Sequence, residues 1–182
     1  FRSHISDDQL IVLRSTVAPG VTDYLVSYLK GHGRQPLVSF CPERVVQGRA
    51  IEEIQTLPQL VSGVSPAATE RAAALFARVA PEIVEMTPRE AEYAKLISNA
   101  YRYIQFAAAN QFYMMVESDG LDYGRLLAKM KHNYQRMSSF PGPGFAAGPC
   151  LMKDTMQLAA FRKHDFLLGD RKSTRLNSSH VS

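Results

Sequence analysis

The chain has little cysteine, no long apolar run and no histidine cluster, and each shortage excludes a class of protein. Two cysteines, Cys41 and Cys150, are too few for a disulfide scaffold and fit the reducing cytosol. No apolar stretch reaches the about 18 residues typical of a membrane-spanning helix. The five histidines show no metal-ligand spacing. We therefore expect a cytoplasmic protein without a metal site or a membrane partner, in which 46% hydrophobic content can form a sizeable core.

The charge balance gives no reason to expect a nucleic-acid partner. The formal net charge of +4 falls to +2 when residues 170–182, with three basic residues and one acidic residue, are left out. Short basic segments such as residues 162–164 are typical of a solvated helix face. Residues 170–182 lose all apolar periodicity, which predicts disorder. Because they resemble the translation of a sequencing-library adapter, we expect an artefactual tail and exclude it from the functional interpretation.

The first part of the chain, residues 1–86, alternates short apolar runs with helical patterns. Strands are predicted at residues 9–14, 36–40, 60–64 and 82–86, and helices at residues 23–30 and 66–79. This alternation is typical of an α/β domain with a parallel sheet. Cys41 and Glu43 follow the second strand, and Cys41 is expected to be a buried strand-end thiol. Ligands of such sheets bind at the carboxyl ends of strands, so Ser15 and Thr16, after the first strand, are predicted to meet a cofactor.

One uninterrupted helical pattern runs from Pro88 to Ser118. Thr87 is the expected N-cap, Pro88 occupies the first helical position, and Glu90 closes a capping box. An Asp-Gly pair ends the pattern. The chain is therefore predicted to be mainly helical from Thr87 onwards.

The residue spacing predicts two faces for this helix. An apolar period predicts a core face formed by Tyr93, Leu96, Ile97, Ala100, Ile104 and Ala107 or Ala108. Lys95 and Asn99 stand one turn apart on another face, as a charged donor beside an amide, although solvated residues share this spacing. Three alanines at 107–109 permit close approach of another helix, in a dimer or in ordinary packing.

Cys150 lies at the end of a segment in which glycine and proline alternate, FPGPGFAAGPCLMKD from Phe140 to Asp154. These residues argue against a helix or a central strand before the cysteine, and backbone without Cβ atoms can lie close to a ligand. Lys153 and a helix expected to begin near Asp154 would both stabilise a thiolate at Cys150. The same pattern also fits a cysteine that is only a small core residue.

Four motifs occur in a fixed order: STVAPG after the first strand, CPERVVQG after the second, KLISN on the long helix, and PGPG…GPCLMKD around the cysteine. Together they resemble the UDP-glucose/GDP-mannose dehydrogenase family of NAD-dependent nucleotide-sugar 6-dehydrogenases, over about residues 9–168. The resemblance implies the C-terminal half of a Rossmann-type domain at 1–86 and a helical central domain at 87–169. It also implies NAD as cofactor, a UDP-sugar as substrate and a homodimer through the long helix.

The resemblance further implies a role for each matched side chain. Cys150 would attack the C6 aldehyde, Lys95 and Asn99 would flank the reacting group, and Asp154 would assist the water step. Glu43 is the implied acid/base. Contacts with NAD are implied for Ser15, Thr16, Val17 and Lys153, with Thr16 also helping to place the hydrolytic water. Substrate contacts are implied for Glu43, Arg44, Lys95, Asn99, Arg136, Phe140, Gly142, Gly144 and Phe145.

Two departures from the family pattern bear on the substrate. The UDP-glucose branch usually carries a second carboxylate four residues after the first, where this chain has Gln47. The P-E-R…G pattern resembles instead the branch that oxidises UDP-N-acetylhexosamines. The usual G-x-G-G-x-C ending of the loop is GFAAGPC here.

Two other interpretations are open. Dehydrogenases of the 3-hydroxyacid class also join a sheet domain to a long helix with lysine and asparagine one turn apart, but they act without a covalent cysteine, so Cys150 discriminates between the classes. An inactive dimerisation module is the second alternative. The sequence contains no G-x-G-x-x-G, and we expect a fragment that lacks the dinucleotide phosphate loop and a following UDP-binding domain.

Overall fold

The computed structural model of the chain describes residues 4–46, 48–144 and 148–161. Two compact units divide the chain, Phe1–Leu96 and Ile97–Ser182. Within the described ranges, no helix is both long enough and apolar enough to cross a membrane. The predicted tail at 170–182 lies outside the described residues, as do Gln47 and Phe145.

The first unit alternates strands and helices, which confirms the predicted α/β class. Its elements are β1 (Leu10–Leu13), α1 (Val21–Lys30), β2 (Leu37–Phe40), α2 (Ala50–Thr56), β3 (Gln59–Val61), α3 (Pro66–Phe76) and β4 (Ile83–Glu85). β1 pairs with β2 in parallel, with Leu10 opposite Leu37, and β3 pairs with β4 in parallel. A single antiparallel bridge from Ser39 to Gly63 joins the two pairs within the described part of the chain, a contact that the predicted parallel sheet does not include.

The core of this unit lies between the strands and α3. Cys41, Val61, Ala72 and Phe76 form one buried cluster. Cys41 is fully buried, as predicted, and burial raises the pKa of its thiol. Ser65 Oγ accepts a hydrogen bond from Ala68 N, which makes Ser65 the N-cap of α3.

The helical part comprises α4 (Pro88–Ser118), α5 (Tyr123–Lys131), a 3₁₀ turn at Gln135–Met137, and α6 (Gly148–Phe161). The bounds of α4 are those predicted. Its capping box is also confirmed, because Glu90 N donates to Thr87 Oγ1 at 3.3 Å and Thr87 N donates to Glu90 Oε2 at 2.7 Å.

The buried face of α4 differs from the predicted core face at two positions. Leu96 and Ala100 are buried as expected, but Ile97 is 53% exposed and Ile104 is 47% exposed. Asn99, which spacing alone allowed as a solvated residue, is only 8% exposed. The apolar period alone therefore does not decide which side chains of α4 are covered.

The helix that follows the glycine and proline residues begins earlier than expected. We predicted a start near Asp154, whereas α6 begins at Gly148 and includes Pro149 and Cys150 in its first turn. Proline is tolerated there because the first N–H groups of a helix have no intrahelical partner. Cys150 is consequently a helical residue.

Candidate active site

In the first unit, polar side chains gather where β1 and β2 end. Backbone pairing continues past both strands, because Cys41 N donates to Leu13 O at 2.9 Å and Glu43 N donates to Arg14 O at 3.3 Å. The segment with Ser15, Thr16 and Val17 therefore leaves the sheet at the same edge as Glu43. Ser15 is exposed, whereas Thr16 and Val17 are half-buried. A hydroxyl-bearing segment at the carboxyl end of a parallel strand fits the placement expected of cofactor contacts.

Arg14 connects this edge to the core. Its guanidinium forms an ion pair with Glu43, donates to Gln59 Oε1 at 3.3 Å, and stacks over the ring of Phe76 with 4.8 Å between guanidinium carbon and ring centroid. A planar guanidinium with several donors can hold these partners simultaneously. Arg14 thereby fixes both the start of the Ser15 segment and the orientation of Glu43.

The carboxyl group of Glu43 is stabilised in its charged form. Burial raises the pKa of Glu43. A hydrogen bond from Val45 N and the hydrogen bond and charge of Arg14 lower the pKa by more than burial raises it, so the net pKa lies below the ordinary value. Arg44 N also donates to Glu43 Oε1, at 2.8 Å. Glu43 is therefore ionised near neutral pH, so it can accept a proton but has none to donate. The Arg44 side chain donates to the carbonyl oxygen of Pro58.

In the second unit, the structure brings together two of the predicted site residues that are distant in sequence. Asn99 on α4 donates from Nδ2 to Asp154 Oδ2 on α6, at 2.5 Å. Asp154 is 1% exposed, and its other oxygen, Oδ1, lies 2.9 Å from Lys153 Nζ. Because a buried carboxylate needs such compensation, the contacts stabilise the Asp154 charge and fix its orientation.

Cys150 lies one turn before Asp154 on the same face of α6. Its thiol is exposed. The Lys153 ammonium, which we expected near the thiol, pairs with Asp154. Lys95 belongs to the α4 residues of the first unit, one turn before Asn99, and is half-buried.

Hydrogen bonds of the Asn110 side chain and a ring contact join the segment before Cys150 to α4. Asn110 Oδ1 accepts from Gly144 N at 2.8 Å, and Asn110 Nδ2 donates to Gly144 O at 2.9 Å. The Phe140 ring lies 6.0 Å from that of Phe112 on α4, measured between centroids. Gly142 and Arg136 are exposed. The paired hydrogen bonds hold the loop backbone at one position.

Sequence reasoning missed three residues that organise these regions, namely Arg14, Glu92 and Asn110. Arg14 immediately precedes the STV motif, and Glu92 precedes Lys95 by one helical turn. Glu92 is buried and accepts hydrogen bonds from Gly20, at the end of the STVAPG segment, and from Thr22 on α1. Asn110 follows three alanines, and this amide directly after them was the signal that could have singled it out.

Two sequence models of one family match the chain almost end to end. The NAD binding domain of the UDP-glucose/GDP-mannose dehydrogenase family matches residues 1–80, and the central domain of the same family matches residues 89–167. The chain belongs to the UDP-glucose/GDP-mannose dehydrogenase family. This result confirms the resemblance drawn from the four motifs, and the matched NAD binding domain includes the segment predicted to contact NAD.

Relatives within the family include a UDP-N-acetyl-D-mannosamine dehydrogenase of Methanocaldococcus jannaschii, 27% identical over 98% of this chain and 41% of the relative. The structure of UDP-D-ManNAc dehydrogenase from Pyrococcus horikoshii is similar with a TM-score of 0.86 and 27% identity, over 97% of this chain and 43% of that one. A UDP-glucose dehydrogenase from Pyrobaculum islandicum has a TM-score of 0.74 and 26% identity, over 85% and 37%. The chain thus spans less than half the length of these relatives.

Proposed function

We propose that this chain forms part of an NAD-dependent nucleotide-sugar 6-dehydrogenase that oxidises the C6 hydroxyl of a UDP-sugar to a carboxylate, a precursor for polysaccharide synthesis. The observation that carries the proposal is the buried Asn99–Asp154 hydrogen bond, which joins the KLISN helix to the helix of Cys150. Two of the four family motifs thereby meet in one cluster. Family membership also favours this interpretation over a 3-hydroxyacid dehydrogenase.

Oxidation of a primary alcohol to an acid removes four electrons, and the aldehyde formed halfway must be retained. NAD, when bound, supplies the hydride acceptor for each of the two oxidations. Cys150 retains the aldehyde by forming an S–C6 bond, as the thiol gives up its proton and the carbonyl oxygen becomes a hydroxyl. The second oxidation leaves a thioester on Cys150. Water then adds to the thioester, the S–C6 bond breaks, and the acid and the thiol are released.

Side chains of the other family motifs would stabilise charge on the C6 oxygen and direct the water step. Lys95 supplies an ammonium and Asn99 an amide, donors of the kind that stabilise an oxyanion when held in place. Asp154 fixes the Asn99 amide through a hydrogen bond of 2.5 Å, so the amide does not need to reorient during the reaction. Glu43, held ionised by Arg14, would act as a proton acceptor.

The family branch is the first testable part of the proposal. Because Gln47 replaces a carboxylate and Arg44 follows Glu43, we expect a full-length enzyme that carries this chain to prefer UDP-N-acetylhexosamines. Pockets that hydrogen-bond a substrate group discriminate strongly against analogues without it, so kcat/KM for UDP-N-acetylmannosamine or UDP-N-acetylglucosamine should exceed that for UDP-glucose by at least about tenfold. Steady-state kinetics with the three substrates measure this ratio.

A substitution at position 47 tests the cause of this substrate preference. Gln47→Glu restores the carboxylate of the UDP-glucose pattern and is expected to reduce the preference for the N-acetylated substrates. A wild-type preference for UDP-glucose would refute the branch assignment while leaving the oxidation chemistry intact.

We also propose that α4 forms a homodimer contact. Exposed apolar side chains recur along one stripe of its second-unit part, namely Ile97, Tyr101, Ile104, Phe112 and Met115. Their spacing of three, four or eight residues keeps them on one side of the helix, as in a helix–helix seam. Apolar surface that continues along one helix suits a second copy of the same helix.

The proposed dimer contact can be tested by the mass of the chain in solution. Sedimentation of the chain is expected to give a dimer at micromolar concentration, and Ile104→Asp is expected to give monomers, because an unpaired charge at the contact is costly to bury. Ile51→Asp is the matched control, since Ile51 on α2 is equally apolar and 81% exposed. A monomeric wild-type chain, or a dimer that survives Ile104→Asp, would contradict the proposed contact.

A further inference from the structure

Glu92 on α4 is a buried carboxylate with partners far away in sequence. It is 1% exposed, and its two oxygens accept three hydrogen bonds: from Gly20 N at 2.6 Å, from Thr22 N at 2.9 Å and from Thr22 Oγ1 at 2.7 Å. All of these residues belong to the first unit. A carboxylate removed from water is stable there only because these donors replace its hydration.

The contact completes the N-terminus of α1. The helix begins at Val21, and Gly20 in the N-cap position has a left-handed φ of 100° and no capping side chain of its own. The first N–H groups of a helix lack intrahelical partners, and the positive end of the helix dipole favours an anion. Glu92 satisfies both requirements from a different helix.

The turn that Glu92 holds also lies directly against α4. A Cβ atom at Gly20 would meet the guanidinium of Arg89, and other residues rarely adopt its φ of 100°, so this position favours glycine. Val21 N donates to Ala18 O at 3.2 Å and closes the turn. The end of the STVAPG segment is thereby fixed against the helix that carries Lys95.

We propose that Glu92 is a positioning residue for the segment of Ser15, Thr16 and Val17, an inference that rests on the proposed function because it takes this segment to contact NAD. Arg14 fixes the segment at its start through Glu43 and Gln59. Glu92 fixes it at its end, three residues after Val17. A short segment held at both ends presents its hydroxyl and backbone groups to the cofactor without further ordering on binding.

The test begins with Glu92→Gln, which keeps the shape but turns one acceptor into an amide donor facing an N–H group. Amide hydrogen exchange at Gly20 and Thr22 should accelerate in the full chain. In a full-length enzyme, KM for NAD should rise about tenfold, the scale of one lost hydrogen bond, while KM for the UDP-sugar stays unchanged. Thr22→Val removes one donor of the three and should give a smaller shift in the same direction.

Glu90→Gln is the matched control, because Glu90 caps α4, the helix that carries Glu92, and has no bond to the Gly20 turn among its described contacts. It should lower stability without changing KM for NAD. If Glu92→Gln prevents folding, Thr22→Val carries the test. Unchanged exchange, or an unchanged KM for NAD in an active variant, would overturn the positioning role alone. A wild-type enzyme that fails to reduce NAD would instead refute the proposed function and remove the cofactor role of Glu92 with it.

Discussion

Replacement of Cys150 by alanine is expected to abolish NAD reduction with the UDP-sugar in a full-length enzyme that carries this chain. Without the thiol, the aldehyde cannot be held as a thiohemiacetal and no thioester forms, so a loss of at least about a thousandfold in kcat is expected, as for other catalytic nucleophiles. Spectrophotometric detection of NADH at saturating substrate measures the effect. Cys150→Ser should separate the two oxidations, by trapping or releasing an early intermediate.

The other cysteine provides the control for this prediction. Cys41 is fully buried at the end of β2 and takes no part in the proposed reaction. Cys41→Ala should therefore reduce stability through the lost packing but leave kcat of the folded enzyme near that of wild type. Unchanged turnover in Cys150→Ala would exclude the covalent mechanism, whatever the result for Cys41.

Replacement of Lys95 by alanine is expected to lower kcat by at least about a hundredfold, which is the usual cost of one lost oxyanion donor. The charge on the C6 oxygen develops only during the reaction, so KM for the UDP-sugar should change much less. Steady-state measurements of kcat and KM separate the two effects. A change in KM alone would assign Lys95 to substrate binding that is equal in the ground state and the transition state.

Lys153 serves as the matched lysine for this experiment. Its ammonium lies 2.9 Å from the buried Asp154 carboxylate, and its side chain is 57% exposed. Lys153→Ala should therefore disturb the reaction less than Lys95→Ala. An equal loss in both variants would mean that general positive charge, rather than the placement of Lys95, stabilises the oxyanion.

Much of the fold was predictable because its elements carry local signals. The capping box at Thr87 and Glu90 fixed the start of α4, and the serine at 65 fixed that of α3. Other features depend on interactions that local patterns do not contain. α2 is only seven residues long and has no buried residue, so it carries no apolar period. Ile97 and Ile104 fit the apolar period of α4 and are nevertheless exposed, so the period alone does not decide which side chains are covered.

The sequence also predicted residues of the candidate site more readily than their partners. Motif order singled out Glu43, Asn99 and Asp154 one by one. The contacts that orient them join residues 29 and 55 positions apart, from Arg14 to Glu43 and from Asn99 to Asp154. The contact from Thr22 to Glu92, which holds the turn after the STV motif, spans 70 positions. Only the folded chain brings such pairs together, because their spacing follows no helical or strand period.

The contrast between the two thiols has a practical consequence. Cys41 is sealed in the core, whereas Cys150 is exposed in the first turn of α6. Maleimide and iodoacetamide reagents react with accessible thiolates, so Cys150 can be labelled selectively over Cys41. A fluorophore or spin label placed there would report from the proposed reaction centre itself without any engineered cysteine. The same accessibility makes peroxide a hazard during purification, since an exposed thiol is the one that oxidises first.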